Sequence, residues 1–228
     1  MSTLLKYAEF LQSSFFFRVA LVINGLGSCA IAIAYPYFLL GNKVGSELVF
    51  GSQAAIFTAS AVGSYLWAHI LDNSADIWNL KLKIVLLELI ISILISLSFN
   101  YQNFYWLKCT LIIILQFLFA FEIPWSRIAF KELTENSNKD SNKISHDITM
   151  AASVISVFAP VLATFSYSFE NLRFLTQLNI LFFIPYLLIA LSFYSSGKKI
   201  KFLRIENSSL ITTKDFIAII SRNISPEF

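Results

Sequence analysis

Residues 15–40 read FFFRVALVINGLGSCAIAIAYPYFLL, a run of 26 residues in which Arg18 is the single charged side chain. A helix needs about 20 mostly apolar residues to cross the hydrocarbon core of a bilayer. The run exceeds that length, and its one charge lies close to the start, where it can reach the membrane surface. This stretch therefore predicts a membrane-spanning α-helix.

Five further segments have the same apolar character and are separated by polar links. They are Leu48–Leu71, Ile84–Phe99, Phe104–Phe121, Ile148–Ser168 and Phe174–Phe193. The chain as a whole is 57% hydrophobic and 14% charged, whereas a soluble domain is roughly 45–50% apolar and about 25% charged. A water-soluble fold has no place to bury this excess. We therefore expect an all-α membrane protein with six transmembrane helices.

The distribution of lysine and arginine predicts the orientation. If the N-terminus is cytoplasmic, 14 of the 17 basic residues fall on the inner side, and only Lys43, Lys108 and Arg173 fall on the outer side. Cytoplasmic loops are enriched in Lys and Arg. Both termini are therefore expected in the cytoplasm of a cell membrane. The abundance of Asn, Lys, Ile and Phe suggests a bacterial source.

The sequence carries no pattern typical of an enzyme or a cofactor site. It has no nucleotide-binding loop, no catalytic triad and no zinc-ligand spacing. Cys29 and Cys109 lie apart in apolar runs and form no metal motif. The basic residues do not cluster as a nucleic-acid patch would. We expect no catalytic residue, no metal, no cofactor and no nucleic-acid partner.

Several polar side chains inside the spans are candidates for a substrate pathway, because polar groups are costly next to lipid. The candidates are Asn24, Ser28 and Tyr35 on one face of the first span, with Gln53, Gln116 and Asn179 on later spans. Each of them could instead form a hydrogen bond between helices. The sequence leaves both roles open.

Small residues mark positions where helices can approach closely in lipid. In the second span they recur every four residues, at Gly51, Ala55, Ala59 and Gly63. In the fifth span Pro160 is expected to kink or loosen the helix, which membranes tolerate where neighbours satisfy the backbone. These residues indicate close packing, or faces that slide during transport.

Acidic residues lie near the inner ends of two spans. Glu88 is in the third span and Glu122 at the end of the fourth. Both are expected within reach of the cytoplasmic interface, where a salt bridge is the favoured role. No ionisable residue is expected deep in a span, which leaves proton coupling without an evident carrier.

The order of these features resembles the N-terminal half of a major facilitator superfamily transporter, closest to the macrolide-efflux and secretion-effector branch. The first span reads Phe17-Arg18, Gly27-Ser28 and Ala34-Tyr35-Pro36, and Gly45-Ser46 follows. Ala159-Pro160 stands where antiporters of the family have glycine-proline. The resemblance covers residues 15–193. It implies two inverted three-helix repeats.

The resemblance also implies a cytoplasmic gate. Asp72 and Lys81 resemble the family's latch between the second and third helices, although Asn73 replaces the usual arginine. Glu122 and Arg127 lie where the family's chain leaves helix four. We take these four residues as gate candidates.

The expected organisation is a six-helix transmembrane domain at 1–194 and a cytoplasmic tail at 195–228 that resembles the start of an inter-domain linker. The favoured function is a half-length secondary transporter that exports a small amphiphilic or peptide-like solute. Its partners would be the bilayer, the solute and either a second copy or a second six-helix half. The alternative is a non-transporting accessory or immunity-type subunit, or a transporter fragment. The membrane domain of an ATP-driven exporter is disfavoured, because the loop Asp72–Lys83 is too short to reach an ATPase.

Overall fold

The computed structural model describes residues 11, 13–42, 44–74, 76–101, 104–135, 141–166 and 169–195. The described part is helical and contains no strand, which confirms the expected all-α class. The tail 196–228 lies outside the described residues. The helices, in chain order, are α1 Ser14–Gly41, α2 Ser46–Asp72, α3 Ile77–Ser98, α4 Tyr105–Phe119, α5 Glu122–Glu135, α6 Ser141–Thr164, α7 Phe169–Phe182 and α8 Ile184–Ser195.

Four described segments are long and apolar enough to cross a membrane, and this supports a membrane-embedded protein. They are Phe15–Leu40, Ser46–Asp72, Tyr105–Ala129 and Glu170–Ser192. The third and fifth predicted spans correspond to α3 and to the apolar part of α6, Thr149–Thr164. The count of six spans therefore stays a prediction. Large apolar side chains such as Phe50, Trp106 and Phe165 are 69%, 72% and 70% exposed on the outside of the bundle.

Polar side chains fix several helix ends. The Ser13 hydroxyl accepts a hydrogen bond from the Phe16 amide at 3.2 Å, and Asp76 accepts one from Asn79 at 3.0 Å. Both are N-caps that satisfy an otherwise unpaired backbone donor. At the other end of α1, the Asn42 side-chain amide donates to the Phe38 carbonyl at 2.8 Å. These caps place the boundaries of α1 within one residue of the predicted span.

Two long apolar segments are each interrupted close to a proline. Tyr105–Ala129, which extends beyond the fourth predicted span, is divided between α4 and α5 near Pro124, and the sixth predicted span is divided between α7 and α8 near Pro185. Proline has no N–H to donate to the carbonyl four residues earlier, so the helix ladder is broken at that point. In both cases the next residue is a buried aromatic, Trp125 or Tyr186. The helix that contains Pro160, by contrast, runs without a break through it.

Helices that are far apart in the sequence pack against one another. The most extensive contacts join α1 to α6 and α2 to α4, followed by α1 with α7 and α3 with α4. The third helix, α3, also packs against both α7 and α8. As a result α1, α3 and α4 contribute most to the interior of the bundle.

The buried core consists of two apolar clusters separated by polar side chains. One cluster includes Tyr35, Phe38 and Phe99, near the predicted outer end. The other includes Phe17 and Trp125, near the predicted inner end. The buried interior also contains polar residues, which we call the polar layer: Asn24, Ser28, Ser92, Gln116 and Asn179.

Candidate functional site

A buried ion pair lies at the predicted inner end of the bundle. The Lys81 ammonium on α3 donates to a carboxylate oxygen, Oε1, of Glu122 on α5. The side chains are 0% and 2% exposed. Both residues were predicted as gate candidates, and the structure brings them together although 41 positions separate them in sequence. Their contact ties α3 to the start of α5.

Aromatic rings surround the same ammonium. The Lys81 Nζ atom lies 4.4 Å from the ring centroid of Trp125 and 4.1 Å from that of Tyr186. The Phe121 ring is 5.6 Å away. A cation within about 6 Å of an aromatic face is attracted by the ring quadrupole, and more strongly so when water is excluded. These contacts offset part of the cost of burying the lysine.

A second carboxylate lies on the same helix. Glu88 is seven residues beyond Lys81, so both side chains lie on one face of α3. Glu88 is fully buried, and neither of its carboxylate oxygens has a hydrogen-bond partner within the part of the chain that the structure describes. Lys81 acts on it electrostatically. Of the two acidic residues expected to form a salt bridge, Glu122 forms one and Glu88 forms none among the described residues.

The Tyr186 hydroxyl belongs to this group of residues. It is buried, has no described hydrogen-bond partner, and interacts electrostatically with Glu88. The second Glu122 oxygen, Oε2, is also buried and has no hydrogen-bond partner among the described residues. We call these residues the lysine cluster: Lys81, Glu88, Glu122, Trp125 and Tyr186. It combines one ammonium, two carboxylates and a hydroxyl in a site closed to solvent.

The polar layer begins one helical turn beyond Glu88. Ser92 Oγ lies 3.4 Å from the Asn179 amide nitrogen, which joins α3 to α7. Asn179 also presses on α1, since a Cβ atom built at Gly27 would lie 2.2 Å from its Oδ1. Glycine is therefore required at position 27 by close packing.

The layer continues on α1. The Gln116 side-chain amide donates to the Ser28 carbonyl at 2.9 Å. Asn24 is fully buried, and neither its Oδ1 nor its Nδ2 atom has a partner among the described residues. The Ser28 hydroxyl is likewise buried and unpartnered. Unsatisfied polar groups in an interior are unusual and costly.

The remaining pathway candidates lie elsewhere. The Tyr35 hydroxyl donates to the Tyr105 carbonyl at 2.6 Å and closes the outer end between α1 and α4. Gln53 is exposed on the outside of α2. The structure therefore groups Asn24, Ser28, Gln116 and Asn179, and separates Tyr35 and Gln53 from them.

The gate candidates and the packing candidates also differ in their exposure and contacts. Asp72 and Arg127 are exposed, and the structure gives neither a contact with the Lys81–Glu122 pair. A Cβ atom at Gly63 would lie 2.8 Å from the Phe117 carbonyl of α4, whereas one at Gly51 would meet nothing within 4 Å. Ala55 and Ala59, between them, are half-buried. The small-residue stripe therefore packs closely against α4 at Gly63 and is open at Gly51.

An open cavity of about 370 Å³ lies on one side of the bundle. Its lining is mostly apolar and comes from α1, α4 and α6: Cys29, Ile33, Phe119, Ala152, Ile155, Ser156, Ala159 and Pro160. None of the polar-layer residues lines it. A volume of this size can hold a small organic molecule.

Reasoning from the sequence missed the roles of Glu88, Trp125 and Tyr186. The seven-residue spacing of Lys81 and Glu88 was a usable signal for a shared helix face. The isoleucine-proline-aromatic triplets that end at Trp125 and Tyr186 were another. Lys108, expected near the outer surface, is buried beside the Phe99 ring at 5.3 Å and donates to the Tyr101 carbonyl at 2.6 Å.

No family model, curated protein or solved structure matches the chain.

Proposed function

We propose that the chain is one six-helix unit of a secondary membrane transporter, with six spans and two inverted three-helix repeats like those of the major facilitator superfamily. It would move a small amphiphilic or peptide-like solute by rocking against a second unit, either another copy or a separate six-helix half. The unit would lie in the cell membrane of a bacterium, with both termini in the cytoplasm.

The pairing of the helices is the observation that carries this proposal. An inverted repeat exchanges spans one, two and three with spans four, five and six. It maps the contact of span one with span five onto the contact of span four with span two. Those are the two most extensive helix contacts, α1 with α6 and α2 with α4. The contacts of α1 with α7 and of α4 with α3 form the next such pair.

Two surface features support a second unit beside this one. The cavity lined by α1, α4 and α6 is open to one side, as half of a shared binding site would be. Gln53 is exposed on α2, where lipid would leave its amide without hydrogen bonds. A second unit, or water enclosed between two units, would satisfy that amide. The mostly apolar lining of the cavity suits an amphiphilic solute.

Export of amphiphilic dyes from expressing cells tests the proposal. Cells that make the protein should accumulate less dye than cells carrying an empty vector. Ser156→Trp fills the cavity and should abolish the difference. Leu94→Trp is the matched control, because Leu94 is 43% exposed on α3 and does not line the cavity. Equal dye levels in protein-expressing and vector cells would contradict the proposal.

One observation favours the alternative, a non-transporting accessory subunit. The predicted pathway residues Asn24, Ser28, Gln116 and Asn179 are 0–4% exposed inside the bundle and do not line the open cavity. Two of them hold helices together, which is a structural role. A stable stoichiometric complex with another membrane protein, together with no dye export, would support this alternative.

A further inference from the structure

The lysine cluster does not balance its charges when all its side chains are ionised. It contains one ammonium, Lys81, and two carboxylates, Glu88 and Glu122. Lys81 bonds to Glu122 and so leaves Glu88 without an ion pair or a hydrogen bond in the described structure. A buried charge without a partner is strongly unfavourable in a protein interior, and more so within a membrane. One bound proton removes the imbalance.

Among the described groups that face Glu88, none besides Lys81 supplies a positive charge. On its own helix Lys81 acts on it, α5 contributes the carboxylate Glu122, and α8 contributes the hydroxyl of Tyr186. The helix α7 contributes the neutral amide Asn179 near Ser92. The cation on α4, Lys108, lies at the far end of α3 beside Phe99. Lys81 is therefore the sole ammonium among these groups, and two carboxylates compete for it.

We propose that the lysine cluster binds one exchangeable proton, which Glu88 carries while Lys81 is bonded to Glu122. The proton comes from water and returns to water. In the alternative arrangement Glu122 holds the proton and Lys81 bonds to Glu88. The net charge of the cluster is zero in both arrangements, because each has one ammonium and one ionised carboxylate. The ammonium bonds to whichever carboxylate is ionised.

Lys81 interacts with both carboxylates, through a hydrogen bond to Glu122 and electrostatically with Glu88. Lys81 has a flexible four-carbon stem and three donors, and Glu88 lies two helical turns away on the same face of α3. The Tyr186 ring packs against the ammonium, and its hydroxyl has no described partner. That hydroxyl can accept a hydrogen bond from a protonated carboxyl or donate one to an ionised carboxylate. The exchange would also break the ion pair that joins α3 to α5.

This inference deepens the proposed function by assigning its coupling ion, and only that use rests on the protein being a transporter. The proton site itself is measured without transport. Proton binding together with absent dye export would overturn the transporter proposal and leave the site intact. Dye export without a bound proton would support the transporter proposal and overturn the proton site.

Infrared spectroscopy of the purified full-length protein in lipid nanodiscs at neutral pH tests the site. A buried protonated carboxyl should give a carbonyl band that shifts in heavy water and with ¹³C-glutamate labelling. Glu88→Gln should remove the band. Glu47→Gln, at an exposed position in the first turn of α2, is the matched control and should retain it. A wild-type spectrum without a glutamate band, or a band that survives Glu88→Gln, would overturn the proposal.

Two further variants test the sharing of Lys81. In Glu122→Gln the lysine should bond to Glu88, so the band should disappear although Glu88 is present. In Lys81→Met both carboxylates lack an ammonium, and the band should grow to about twice its wild-type area because two carboxyls are protonated. A band that persists in Glu122→Gln would exclude the exchange. The ¹³C label on the unmodified protein keeps the test valid if a variant fails to fold.

Discussion

The side-chain amide of Gln116 donates a hydrogen bond to the backbone carbonyl of Ser28, with 2.9 Å between Nε2 and O. This bond joins α4 to α1 in the middle of the bundle, where both residues are buried. A buried amide that loses its acceptor has no water to replace it. The bond therefore contributes to the stability of the bundle.

Replacement of Gln116 by leucine should lower the free energy of unfolding by about 0.6–1.7 kcal/mol, from the average to the largest value for hydrogen bonds between membrane helices. Unfolding in a denaturing detergent, followed by circular dichroism, measures this loss. Gln53→Leu is the matched control, because Gln53 is exposed and should cost nothing or stabilise the isolated unit. Equal losses in the two variants would contradict a specific role for the Gln116 bond.

The lysine cluster predicts non-additive stabilities. Glu88→Gln and Glu122→Gln should each cost about 1 kcal/mol, because Lys81 keeps one carboxylate in either variant. The double variant leaves a buried ammonium with no partner and should cost about 3–5 kcal/mol. A double-variant cycle in the same unfolding assay checks this. Additive losses would mean that Lys81 does not respond to Glu88.

Much of the helical architecture could be predicted from the sequence. The apolar length of residues 15–40 and the polar links on either side place α1 and α2 within two residues of their observed ends. The hydrocarbon thickness sets that length, so local composition is sufficient. The start of α3 at Ile77 was harder to predict, because the two charged residues Lys81 and Lys83 are typical of a polar loop. In the structure Lys81 is buried within the helix.

The site was only partly predictable. Lys81 and Glu122 could be selected as gate candidates, but their contact depends on how α3 and α5 pack together. The isolation of Glu88 depends on the rotation of α3 and on how the facing helices pack against it, which no local pattern encodes. Trp125 and Tyr186 each directly follow a proline near a helix break, and their contacts with Lys81 depend on how α5 and α8 pack against α3.

Two substitutions at Tyr186 separate the role of its ring from that of its hydroxyl. Tyr186→Phe keeps the ring 4.1 Å from Lys81 and removes a buried hydroxyl without a described partner. We expect a change in unfolding free energy of less than about 1 kcal/mol, of either sign. Tyr186→Ala removes the ring as well and should cost about 3–5 kcal/mol through the cavity and the lost cation–π contact.

Thermal unfolding by circular dichroism compares the two Tyr186 variants. A loss in Tyr186→Phe as large as that in Tyr186→Ala would show that the hydroxyl makes an essential hydrogen bond. The phenylalanine variant would then also be expected to alter the carboxyl band of Glu88.

The two glycines at the ends of the small-residue stripe should respond oppositely to alanine. At Gly63 a new methyl group would lie 2.8 Å from the Phe117 carbonyl and 2.9 Å from Ala120 Cβ, so α2 and α4 must separate. We expect Gly63→Ala to cost about 1–3 kcal/mol, as overpacking does. At Gly51 the methyl meets nothing within 4 Å, and alanine should stabilise the helix by up to about 1 kcal/mol. The same detergent unfolding assay measures both. Destabilisation by Gly51→Ala would instead indicate that a second unit packs against the exposed end of α2, and its dependence on protein concentration would show whether that unit is another copy of the chain.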